Sequence, residues 1–161
     1  MAKAKKSGRY DTKPPQQEEE KGVATPKQSP LESATLATDL IPKGWEVVED
    51  VAPTDFQVGD LEFISFLEGN ETSVGSETMR SRAVVLKANL GLADGKRILA
   101  EQEKIPVELR GCIIVLPGTV LRSPDGCLRV ADLYWNGNRW CLFHHWIVSD
   151  WGGRDRLARN K

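Results

Sequence analysis

The stretch DLYWNGNRWCLFHHWIVSDW, residues 132–151, holds four of the chain's five tryptophans and both of its histidines. At its centre Asn136-Gly137-Asn138 is a hairpin signal, because tight hairpin turns need positive φ at positions that Asn and Gly tolerate. A two-residue turn falls at Asn136-Gly137 or at Gly137-Asn138. In either case strand alternation sorts the flanks into the same two faces. Leu133, Trp135, Trp140, Leu142, His144 and Trp146 share one face. Val130, Asp132, Tyr134, Arg139, Cys141, Phe143, His145 and Ile147 share the other. An antiparallel pair with one solvated face alternates apolar and polar residues. Here both faces carry large apolar groups, so each needs a cover, supplied by this chain or by a partner.

Working outward, the segments before the hairpin read mainly as strands. GWEVVED begins at Gly44. VGDLEFISFLEG alternates, with Leu61, Phe63, Ser65 and Leu67 opposite Glu62, Ile64, Phe66 and Glu68. SRAVVLKA, residues 81–88, is a β-branched run. GCIIVLPG is a short continuous apolar run of the kind buried on both faces. TVLRSPDGCLRV reads as two strands around Pro124-Asp125-Gly126. Residues 92–104 are ambiguous between a short helix capped by Asp94 and a strand paired with 81–88, and the strand is the preferred reading. Seven to eight short strands in about 110 residues give an all-β, mainly antiparallel fold, a small sandwich or barrel with at most one short helix. The polar loop EGNETSVGSETM is long enough to carry binding function.

Composition divides the chain. Residues 1–43 contain five of the nine prolines and a single aromatic, Tyr10. Such a segment buries too little apolar surface to offset its ordering entropy. It is expected to be a disordered or extended arm, with Ser29 and Glu32 framing a weak helical turn in SPLESATLATDLI. Residues 44–153 form the β domain. Residues 154–161 are expected to be a basic tail, with Arg154, Arg156, Arg159 and Lys161 against Asp155.

The 22 basic and 23 acidic residues leave a formal net charge of -1, which gives no global attraction to nucleic acid or anionic membrane. No apolar run approaches the roughly 20 residues of a membrane span. The basic start lacks the apolar core of a secretory leader. Three cysteines without such a leader point to a reducing compartment rather than a disulfide framework. A cytoplasmic or virion location follows as the expectation.

Chemistry is weakly signalled. Cys141, His144 and His145 invite a zinc site, but alternation separates the two histidines, and a structural site needs four converging ligands. Cys141 and His145 share a face four residues apart, about 13 Å along a strand, too far for a nucleophile–base pair. No phosphate loop, nucleophile elbow or His-Glu-x-x-His helix occurs. No cofactor, metal or catalytic residue is therefore expected.

The sequence thus favours a non-enzymatic assembly protein that docks on protein subunits, including copies of itself, through the hairpin and the N-terminal arm. Phage and viral capsid decoration or connector subunits share this plan, an analogy of architecture only. The expected contact residues are Trp135, Trp140, Trp146, Tyr134, Phe143 and Arg139. The alternative is a single-stranded nucleic-acid-binding β-barrel of the OB kind. Its aromatic residues would stack on bases, and Arg122, Arg129, Arg139, Arg154 and Arg156 would track phosphates.

Overall fold

The computed structural model describes residues 37–161. The expectations for residues 1–36 of the arm lie outside the described residues. Ala37–Leu40 form a 3₁₀ turn whose Leu40, with Ile41, packs on the core.

Eight strands and two helices follow: β1 (Glu46–Glu49), β2 (Leu61–Ile64), β3 (Ser73–Gly75), α1 (Ser76–Val85), α2 (Leu92–Ala100), β4 (Ile113–Arg122), β5 (Leu128–Trp135), β6 (Trp140–Trp146), β7 (Asp150–Gly152) and β8 (Asp155–Asn160). The fold is mostly β. The main sheet runs β2-β8-β4-β5-β6, with β1 added to the end of β4, and it is mixed because β8 lies parallel to β4. A second sheet pairs β3 with β7. Neither sheet closes, so the barrel expectation is corrected: the main sheet is open, with β2, β6 and the outer side of β1 at its edges. Among the described residues no helix is long and apolar enough to cross a membrane.

Two segments expected as strands are helical. In residues 81–88 the β-branched pair Val84 and Val85 is exposed, while Met79 and Ala83 face inward at helical spacing. The valines that suggested a strand are the ones that bury least. Residues 92–100 also form a helix. Asp94 folds back to accept from Gly91 N–H at 3.2 Å and also accepts from Thr54 N–H at 2.8 Å. The N-cap amide of α2 is satisfied in this way, and the first helical amide, Leu92 N–H, donates to Thr119 Oγ1 at 2.7 Å.

The supposed C-terminal tail is a further correction. Residues Asp155–Asn160 are an interior strand between β2 and β4, with Leu157 and Ala158 fully buried. The number of strands matches the expectation, but their identities differ: two helices replace two strands, and β3, β7 and β8 were not anticipated. The segments GCIIVLPG and TVLR also merge. They are one strand, β4, interrupted by a bulge at Pro117-Gly118-Thr119.

The sheet separates two cores. On one side Ala131, Leu133, Trp140, Ile114, Leu116 and Ala158 meet Ile98 of α2 with Phe56, Val58 and Ile105. On the other, Val115, Val130 and Leu157 meet Met79 and Ala83 of α1, Phe66 and Trp151 of β7. Helices lie on opposite faces of one sheet, a layered arrangement in place of a sandwich of two sheets. Trp151 is anchored by its indole N–H, which donates to Ser76 Oγ at 2.6 Å and ties the small sheet to α1.

Candidate docking surface at the hairpin edge

The β5–β6 register pairs Trp135 with Trp140, Leu133 with Leu142, Ala131 with His144 and Arg129 with Trp146. The turn is therefore centred on Gly137-Asn138, and Gly137 takes φ 99. Asn136 Oδ1 accepts from the N–H groups of Asn138 and Arg139, both at 2.9 Å. The two faces inferred from alternation are the two faces of the sheet.

The expected contact residues do not form one surface. Trp140 is buried in the α2 core and its backbone N–H donates to Gln102 Oε1 at 2.7 Å. Trp135 is half-buried, edge-to-face with Trp140 at 6.0 Å, and Arg110 lies 3.9 Å from its ring centroid. Tyr134 and Phe143, half-buried on the other face, meet edge-on at 6.1 Å. Arg139 is exposed in the turn. Trp146, 54 % exposed, stands at the far end of β6.

Around Trp146 the chain builds a small aromatic and cationic platform. The Arg129 guanidinium lies 5.0 Å from the Trp146 ring and 5.7 Å from that of Trp45, and it pairs with Asp125 at 3.4 Å. Trp45 in turn lies 5.2 Å from His144. Burial, then the Arg129 charge, pushes the His144 imidazole down to about 4, so it is neutral at pH 7. Trp45 and Arg129 were not among the expected protein-contact residues. The signal for Arg129 was its place directly across from Trp146, readable once the turn is fixed.

The opposite face holds an ionisable cluster. His145 Nδ1 is hydrogen-bonded to Asp132 Oδ2, and Asp132 is fully buried. Asp155 accepts from Gly152 N–H at 2.5 Å. Burial works to lower the His145 pKa, but the bond and charge of Asp132, with Asp155 beyond, more than offset it and leave it raised. Through the His145–Asp132 bond and the hold of Asp155 on Gly152 N–H, the cluster ties β5 to β6 and braces the β7–β8 turn. Cys141, on the same face, is four residues away along β6, out of reach for chemistry at about 3.3 Å per residue. Among the described residues no group of His, Cys, Asp or Glu is arranged to hold a metal ion.

The arginines of the nucleic-acid alternative are dispersed. Arg122 is paired with Glu46 at 2.9 Å, and Arg156 donates to the carbonyls of Gly153 and Asp155. Arg154 is exposed, and its carbonyl accepts from Ile113 N–H across the sheet. A shallow cavity of about 290 Å³ lies elsewhere, between Glu49, Asp50, Arg80 and Asn89. Its charges are largely engaged internally: Arg80 with Glu49, and Asp50 with Thr119 at 2.6 Å.

The edges of the main sheet differ in chemistry. β2 is four residues long and carries Glu62, paired with Arg159. β1 carries Glu46 and Glu49. From Trp140 to Val148, β6 and its continuation contain no Asp, Glu, Lys, Arg or Pro. No protein-family model, curated protein or solved structure matches the chain.

Proposed function

We propose that this protein is a binding module of an assembly rather than an enzyme, and that it docks on a protein partner through the outer edge of β6 and the Trp146–Arg129 platform. The reading rests on one observation above all: β6 is a seven-residue edge strand without Asp, Glu, Lys, Arg or Pro, and Trp146 at its end is exposed. Open strand edges template pairing with other chains, and proteins ordinarily blunt them with charges, prolines or short length. The glutamates of β1 and β2 follow that practice. β6 does not, which fits an edge kept for use. Tryptophan and arginine are the residues that most often anchor protein interfaces. An extended partner segment would add a strand through main-chain bonds, and its side chains would meet Trp146 on one face and Phe143 on the other.

The dispersed arginines and the open sheet favour this reading over single-stranded nucleic acid. Capture from the native host by the full chain, read by mass spectrometry, tests it. A specific protein retained by wild type and by V85D, and lost with both W146D and H144P, is the expected result. Capture that is indifferent to β6, or no capture, counts against it.

A further inference from the structure

We propose that the occupant of the β6 edge is the β6 strand of a second copy of this chain, paired antiparallel about His144. The inference rests on the docking reading above and specifies its partner.

The intramolecular ladder fixes which groups face outward. Asn136 N–H donates to Arg139 C=O and Ile147 N–H to Leu128 C=O. Odd-numbered residues of β6 therefore bond to β5, and Trp140, Leu142, His144 and Trp146 direct their N–H and C=O groups to the open side. Trp140 N–H is already taken by Gln102. The usable edge is thus Leu142–Trp146, and its midpoint is His144. Among the described residues no strand pairs with it.

A two-fold axis at His144 uses this stretch completely. The two His144 residues exchange main-chain bonds, and Leu142 of each copy exchanges bonds with Trp146 of the other. Trp146 C=O, which accepts from Ser149 N–H at 2.9 Å, keeps a second lone pair for this. The exposed Trp146 ring then lies beside a Leu142 side chain on the same face, a favourable cross-strand pair. Phe143 falls opposite His145. The neutral His144 imidazoles meet near the axis without charge repulsion.

Charge selects a copy over an unrelated strand. An edge without Asp, Glu, Lys or Arg disfavours partners that would leave a charged side chain desolvated opposite it, and β6 itself is such a strand, its His145 being held by Asp132 of its own chain. A contact of one strand pair and two tryptophans falls in the small, concentration-dependent class below about 1,200 Å².

Sedimentation velocity and amide exchange by NMR on the full chain across a dilution series test it. The expected result is a monomer–dimer equilibrium in which exchange at Leu142, His144 and Trp146 slows by about tenfold or more on concentration. His144→Pro removes an outward N–H and leaves the ladder to β5 intact, and it should sediment as a monomer at every concentration. Should that variant misfold, His144→Cys with Cys112, Cys127 and Cys141 changed to Ser gives the same answer. Directly opposed residues lie within disulfide range, about 5.5 Å between Cα atoms, so oxidation should yield a covalent dimer. A monomer at all concentrations, protection of these amides independent of concentration, or a dimer unchanged by both variants overturns self-pairing. If such a monomer still captures a protein through β6, only self-pairing falls; if it captures none, the docking reading falls with it.

Discussion

His144 and His145 are neighbours in β6, yet their imidazoles lie on opposite faces of the sheet and are driven in opposite directions. Burial and Arg129 push His144 down to about 4. Asp132 and Asp155 outweigh burial at His145 and raise it. A lowered histidine contributes stability that is present above its unfolded value, near 6.5, and is lost as pH falls toward 4. For His144 this is roughly 3–4 kcal/mol, at about 1.4 kcal/mol per pKa unit. A raised histidine contributes stability that is present below about 6.5 and lost as pH rises through the folded value. Imidazole titration by NMR should resolve one residue well below 6.5 and one above it. Denaturant midpoints should show a shallower acid-side loss in His144→Gln and a shallower loss on raising pH above 6.5 in His145→Gln. Two histidines titrating together near 6.5 would contradict the face assignment.

Trp140 and Trp146 mark the two ends of one strand and should separate folding from binding. Trp140 is 3 % exposed within the α2 core, and replacing it with Ala should cost about 3–5 kcal/mol. Trp146→Ala removes a ring that rests mainly on Arg129, and should change stability by less than about 1 kcal/mol. It should nevertheless weaken the association of β6 edges. Urea denaturation and sedimentation together distinguish these effects.

Gly118 sits in the β4 bulge, where its N–H donates to Leu90 C=O at 2.9 Å. A Cβ there would lie 2.5 Å from Val51 Cγ2 and within 2.9 Å of the carbonyl oxygens of Asn89 and Leu90. Backbone cannot step aside as a side-chain tip can. Gly118→Ala should therefore destabilise by about 1–3 kcal/mol or more, read as a lower denaturant midpoint with an unchanged slope.

Asp94 is fully buried and accepts from two backbone amides, Thr54 and Gly91. Asp94→Ala leaves both donors without that acceptor and opens the start of α2. The loss should reach about 2–4 kcal/mol, above that of an exposed cap, because the orphaned Gly91 amide and the Asp94 site itself are buried. Amide exchange across residues 92–100 should accelerate in this variant; unchanged protection would show that the cap is dispensable.

The sequence alone settled the hairpin. Asn-Gly chemistry and period-two alternation are local, so the hairpin, its two faces and the separation of the histidines followed from residues 130–147, while the register placed the turn at Gly137-Asn138. It also showed that both faces needed covers. Which segments supply them was decided only in three dimensions. Val84 and Val85 read locally as strand, but burying Met79 and Ala83 against Trp151 makes that segment a helix. Arg154–Lys161 reads locally as a solvated basic tail. Leu157 and Ala158 instead fill the two cores, with Arg159 held by Glu62, 97 residues away in the chain. Helices on each side of the sheet thus cover most of what looked like a surface waiting for a partner. Among the described residues the edge from Leu142 to Trp146 stays open, because local periodicity fixes which side chains share a face, whereas long-range contacts fix what lies against it.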